Sequence, residues 1–155
     1  MLELYHAKYA TPFAVLGIRT AGERLTDIEY LPPGVATLAP LNRLAERVCR
    51  QIDRYLDDPD FRFDVSFEYV GTPFQTSVWR EISAIPVGKT LRYSDIARHL
   101  HTAPRPVGGA CGANRIPIII PCHRVVGATG LGGFMRSRGG LPLDIKQWLL
   151  RHEGA

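Results

Sequence analysis

The pentapeptide Gly71-Thr72-Pro73-Phe74-Gln75 separates two kinds of hydrophobic pattern, and that division limits the folds open to the chain. A Thr followed three residues later by Gln is a capping box, and a proline directly after the Thr suits the first helical position, where an N–H has no partner to lose. A helix is therefore expected to begin there, with Phe74, Val78, Ile82 and Ile85 on one face. Upstream the period is shorter. Residues 12–20, 24–31 and 61–69 read as strands, with Gly22 and Pro32-Pro33-Gly34 as breaks. Between them Leu41, Leu44, Val48, Ile52 and Leu56 recur at helical spacing, and Cys49 beside that stripe reads as core filling. An α/β lobe over residues 1–70 and a mainly helical domain over 71–155 are the organisation expected.

Charge divides at the same place. Residues 1–71 hold 8 Lys/Arg against 11 Asp/Glu and residues 72–155 hold 11 against 4, so net charges of -3 and +7 make up the total of +4. The basic half would attract a polyanion, nucleic acid above all. No run of 18 apolar residues occurs and the start lacks the layout of a signal peptide, so a soluble protein without a membrane role is expected, cytoplasmic or, in a eukaryote, nuclear. Three cysteines without a CxxC spacing suggest neither a disulfide framework nor a zinc site, and no metal is expected. That cysteine usage fits a reducing compartment, where a free thiol can stay reactive.

Within the basic half, residues 88–100 supply a turn and a short helix starting near Ser94, and residues 105–113 a second short helix. The pair is either a helix-turn-helix or an ordinary helical hairpin. Gly108, Gly109, Ala110 and Gly112 leave the second helix nearly bare, so contact with DNA would go through shape and backbone rather than base edges.

The apolar run 116–120 is followed at once by Pro121, Cys122, His123 and Arg124. A thiolate is the nucleophilic form of cysteine, and a neighbouring base or cation favours it. In an extended chain His123 would point away from Cys122, so a turn after Pro121 or a bridging water is required. The last helix, expected over 143–154, turns Ile145, Trp148 and Leu149 inward and is capped by Gly154. Glu153 at its end opposes the helix dipole, which leaves two readings: a solvated terminal carboxylate, or one with a partner such as His123.

The segments "GTPFQTSVWREISAIPVGKTLRYSDIA", "RPVGGACGAN", "PIIIPCHRVVGATG" and "KQWLLRHEG" together resemble the O6-alkylguanine-DNA alkyltransferases over about residues 71–154. The resemblance implies a ribonuclease-H-like α/β first lobe and a second lobe with a helix-turn-helix. It implies single-use repair without a cofactor, in which Cys122 takes an alkyl group from O6-alkylguanine in double-stranded DNA, and less readily from O4-alkylthymine. His123 and Glu153 match the relay that ionises the cysteine through a water. Tyr93 matches the tyrosine that helps rotate the nucleotide and protonates the leaving base. Asn114 matches the hinge between recognition helix and cysteine loop, and Arg105 the finger that fills the gap left by the everted base. Pro106, Gly108, Gly109, Arg115 and Arg124 fall on the DNA side. Pro117, Val125, Phe134 and Ser137 fall around the pocket, with the Val125 carbonyl set to receive the base amine.

The chain departs from the family at three places. Arg105-Pro106 replaces Arg-Ala, which predicts a helix starting at Pro106 with Arg105 just outside it. Asn114-Arg115 replaces Asn-Pro. Residues 130–140 are longer than the usual loop and carry Arg136 and Arg138, which are expected to add phosphate contacts. Cys111, on the second short helix, is read as packing. A monomer is expected, with cooperative loading on DNA left open. Two rivals stand beside the repair reading: an alkyltransferase-like protein that holds damaged bases without repairing them, and a cysteine hydrolase built on Cys, His and Glu.

Overall fold

Strands β1 (Ala7–Ala10), β2 (Val15–Ala21) and β3 (Arg24–Leu31) form an antiparallel sheet in the order β1-β2-β3, with a bulge at Arg19/Thr20. The computed structural model to which they belong describes residues 4–128, 130 and 141–155 and divides into two units, Met1–Glu68 and Tyr69–Ala155. In the first unit, helix α1 (Arg43–Asp57) opens on Asn42, whose side-chain oxygen accepts the Ala45 N–H at 2.8 Å. Its Val48, Ile52 and Tyr55 are buried, as are Leu16 and Ile18 of β2, and Cys49 fills core as the sequence suggests.

Two expectations fail in this unit. β1 was not anticipated, being four residues without an apolar alternation. Residues 61–69 are not a strand; only Phe67 makes a single bridge, to Leu25. The two-residue period is real, since alternate side chains are half-buried along it. However, the backbone bonds to side chains of α1: the Asp64 N–H donates to Gln51 Oε1, and its carbonyl accepts from Arg47 and Gln51. At Asp64 the backbone groups are thus taken by a helix rather than by a strand, and the Ser66 carbonyl, which accepts the Leu25 N–H at 2.9 Å, touches β3 at one point.

The second unit begins with α2 (Pro73–Ser83), and the expected capping box is present: Gln75 N–H bonds Thr72 Oγ1 at 3.1 Å, and Thr72 N–H bonds Gln75 Oε1 at 3.0 Å. Gly71 is required here because a Cβ would come within 2.6 Å of the Trp79 ring. There follow β4 (Leu91–Arg92), α3 (Tyr93–His99), α4 (Pro104–Gly112), a 3₁₀ turn (Cys122–Arg124), β5 (Val125–Val126) and α5 (Leu141–Glu153). The two short strands pair in parallel, Leu91 opposite Val125 and Arg92 opposite Val126.

Helix α4 packs on both α2 and α3. The Trp79 indole N–H donates to the Ala110 carbonyl at 2.9 Å, which ties α2 to it. Helix α3 ends with His101 in the left-handed region, φ 55°, and the Thr102 N–H on the Ala97 carbonyl, a tight reversal that starts α4. Helix α4 begins at Pro104, not Pro106, with Arg105 inside its first turn. The first turn of a helix tolerates both prolines because its N–H groups lack intrahelical partners. The mixed α/β class expected from the sequence is the one the chain adopts.

Candidate active site

Residues 116–120 do not continue as a strand but fold back, the Ile120 N–H bonding the Ile116 carbonyl at 2.9 Å. Ile118 takes φ 74°, a costly conformation for a β-branched residue, on the order of 1–3 kcal/mol, held by burial of Ile116, Pro117, Ile118 and Ile120. The chain leaves this bend at Pro121 and enters the 3₁₀ turn, so the turn required to bring Cys122 and His123 into one neighbourhood exists.

Asn114 fixes the thiol. Its side-chain amide donates to the Ile120 carbonyl at 2.9 Å and to Cys122 Sγ at 3.1 Å, and its oxygen accepts the Ile116 N–H at 2.9 Å. One asparagine thus locks the end of α4 to the bend and to the sulfur. Cys111, on the last turn of α4, is half-buried and near enough to the Cys122 thiol to push its pKa up.

His123 is buried, and its Nε2 lies 2.8 Å from Glu153 Oε2. A carboxylate only accepts, so Nε2 carries the hydrogen and Nδ1 is left as the basic nitrogen. That Nδ1 is buried with no protein partner among the described residues. Burial pushes the imidazole below its ordinary 6.5, against the pull of Glu153, so the ring is neutral near pH 7.

Glu153 is fully buried at the side chain and carries a second partner. Arg124 Nε donates to Oε1 at 2.8 Å and Nη2 to Oε2 at 3.0 Å, while Nη1 reaches the Ile85 carbonyl at 2.7 Å. The reading of Glu153 as a solvated terminal carboxylate is therefore wrong. So is the placement of Arg124 on the DNA side: a guanidinium with three donors engaged inside the unit has no reach to a phosphate. Its role is to hold the carboxylate that orients His123. The C-terminus of α5 supports the same carboxylate. Gly154, at φ 79°, closes a Schellman motif in which Ala155 N–H bonds Leu150 O and Gly154 N–H bonds Arg151 O.

The sulfur is not an ionised thiolate at rest, although a base and a cation follow it in the sequence. Cys122 is 4% exposed, and its thiol is held well above 9, by contact with Cys111 and then by burial, while Asn114 and Lys146 pull the other way. The resting form is a thiol.

Lys146, missed in the sequence, is completely buried; its Nζ donates to the Val125 carbonyl at 2.7 Å and lies 5.8 Å from the Tyr93 ring centre. Burial pushes it down to about 8. Its position one residue after Ile145 in an amphipathic helix was the available signal: Lys146 lies next to the inward stripe. Tyr93, half-buried, follows directly on the β4–β5 pairing that joins it to the cysteine turn.

On the outer side, Arg105, Pro106, Gly109 and Arg115 are exposed and Gly108 is half-buried. A Cβ on Gly108 or Gly109 would meet nothing within 4 Å, so the protein's own packing does not require those glycines. Phe134, Ser137, Arg136 and Arg138 lie outside the described residues. No group of three or more His, Cys, Asp or Glu side chains suited to a metal occurs among the described residues, and no helix there is long and apolar enough to cross a membrane.

A family model described as 6-O-methylguanine DNA methyltransferase, DNA binding domain, matches residues 73–155. A methylated-DNA--protein-cysteine methyltransferase from Salmonella typhimurium is 49% identical to the chain over 175 aligned residues, 99% of this chain and 98% of the relative. One of the same name from Candida albicans is 34% identical over 150 residues, 92% and 83% of the two chains. A crystal structure of Mycobacterium tuberculosis OGT in complex with DNA superposes with TM-score 0.79 at 32% identity, covering 95% of this chain and 91% of that one.

Proposed function

The chain belongs to the 6-O-methylguanine DNA methyltransferase family, which repairs DNA by transferring a methyl group to a protein cysteine, and from that premise we propose that Cys122 is the acceptor. The observation that carries this assignment is the network in which Asn114 holds the sulfur while Glu153 and Arg124 fix His123 beside it in the turn.

The substrate is O6-alkylguanine in double-stranded DNA, and more slowly O4-alkylthymine. Its alkyl group cannot be reached inside the base stack, so the nucleotide turns out into a pocket bordered by Pro117, Val125 and Tyr93. Helix α4 lies in the minor groove, where the bare surface at Gly108 and Gly109 permits close approach. Arg105, on the exposed first turn, occupies the space the base leaves.

The thiol proton passes to His123 Nδ1 through a bridging water, and the imidazolium so formed is stabilised by Glu153. The Lys146 ammonium favours the thiolate electrostatically. The sulfur then attacks the alkyl carbon; the new S–C bond forms as the C–O bond breaks, and Tyr93 protonates the departing base. The Val125 carbonyl already accepts from Lys146, and its second lone pair remains for the base amine. A thioether has no easy leaving group, so each chain acts once.

Intact-protein mass spectrometry after mixing with a duplex containing O6-methylguanine tests this directly. The expected result is the gain of a single methyl group, absent in Cys122→Ser. A methyl group found on Cys49 or Cys111 would refute the assignment, and more than one lesion repaired per chain would favour a hydrolase.

A further inference from the structure

Two of the three cysteines meet at one point of the second unit. Cys111 lies on the last turn of α4 and Cys122 opens the 3₁₀ turn, with the Cys111 side chain near enough to the Cys122 thiol to push its pKa up. Asn114 ties both into place: its backbone N–H bonds the Cys111 carbonyl at 3.2 Å and its side-chain N–H bonds Cys122 Sγ at 3.1 Å. The pair differs in access, Cys111 being half-buried and Cys122 buried. A buried cation serves both, for Lys146 interacts electrostatically with each sulfur. Cys49 differs in kind; it is buried in α1 and burial pushes its thiol up to about 11.

We propose that Cys111 and Cys122 form a reversible intramolecular disulfide when the protein meets a hydroperoxide, which holds the acceptor sulfur in a recoverable state. The more accessible Cys111 reacts first. As its thiolate attacks one peroxide oxygen, an S–O bond forms and the O–O bond breaks. Hydroxide leaves and takes up the proton that the thiol gave up, yielding water and a sulfenic acid. The Cys122 sulfur then attacks the Cys111 sulfur: an S–S bond forms, the S–O bond breaks, and the departing hydroxide leaves as water with the Cys122 proton. Two thiols and one peroxide thus give one disulfide and two waters. A dithiol reverses the step by exchange, returning two electrons and two protons.

The alternative for a lone acceptor thiol is continued oxidation to sulfinic acid, which thiols do not reverse. A neighbouring thiol diverts the chemistry before that stage. Formation of this bond does not depend on the repair reading; only its consequence for methyl transfer does.

The test uses the full chain, reduced, treated with hydrogen peroxide, blocked under denaturing conditions with N-ethylmaleimide and mapped by mass spectrometry. The expected map links the peptides carrying Cys111 and Cys122 and shows Cys49 blocked. Methyl transfer to the chain from an O6-methylguanine duplex is expected to fall at least about tenfold and to return to within about twofold after dithiothreitol. In Cys111→Ser, measured against its own untreated rate, the peroxide loss is not recovered by dithiothreitol.

Oxidation of wild-type Cys122 to sulfinic acid with no link to Cys111 overturns the proposal, as does full dithiol recovery in Cys111→Ser. The wild-type peptide map decides the matter even if that variant misfolds. A linked pair in a protein whose reduced form accepts no methyl group leaves the disulfide standing and removes the repair reading instead.

Discussion

Glu153 carries more of the site than its place at the end of a helix suggests. It orients His123 and neutralises Arg124, and all three side chains are buried. Replacing it with glutamine keeps the volume but leaves a buried guanidinium without its counter-charge, which costs on the order of 3 kcal/mol. Glu153→Gln should therefore lower the denaturation midpoint and slow single-turnover methyl transfer by about tenfold or more, both readable on one preparation. His123 adds a pH signature. Its folded pKa lies below 6.5 because burial disfavours the imidazolium. As pH falls below 6.5 the unfolded chain takes up a proton that the folded chain resists, so the stability present above that value declines with acid. The transfer rate should fall at the same time, as Nδ1 loses its lone pair, with a midpoint more acidic than 6.5. A rate that instead tracked an ordinary histidine would place the base elsewhere. Cys122, His123 and Glu153 were legible because the motif and the dipole misfit pointed to them. The use of Arg124 was not, since a cation beside a catalytic cysteine in a basic lobe reads equally well as a phosphate ligand; only the fold shows its three donors engaged inside.

Elements were legible where local chemistry settles them and not where a partner does. Capping box and proline fixed the start of α2. Residues 61–69 carry a strand's period, yet the side chains of Gln51 and Arg47 take the backbone groups of Asp64 at its centre, and no pattern within nine residues reveals that. The first turn of α4 was misjudged because the rule against helix before proline weakens where N–H groups have no partner. Helix α4 also offers a test in which two quantities move in opposite directions. Gly109 lies mid-helix, and a Cβ there meets nothing within 4 Å. Gly109→Leu should raise stability by about 0.5–1 kcal/mol through helix propensity while weakening duplex DNA binding by about tenfold or more. Calorimetry and a binding titration would show the split; unchanged affinity would mean that α4 does not face the DNA.

Across the whole chain, the division of charge was plain from the sequence, -3 before residue 72 and +7 from there on, and the basic portion is the one that holds both α4 and Cys122. What composition could not reveal is how deeply the sulfur is buried. Cys122 is buried, and it follows a bend in which Ile116, Pro117, Ile118 and Ile120 are also buried, with Ile118 in a strained backbone conformation. An added methyl group is an extra atom at a buried position, and overpacking a protein interior typically costs about 1–3 kcal/mol. The methylated chain should thus melt several degrees lower than the unmodified one in a thermal scan, and a benzyl adduct lower still. A repaired lesion would leave behind a loosened molecule that proteases can tell from a fresh one, so the tightness of the cradle doubles as a timer for clearance.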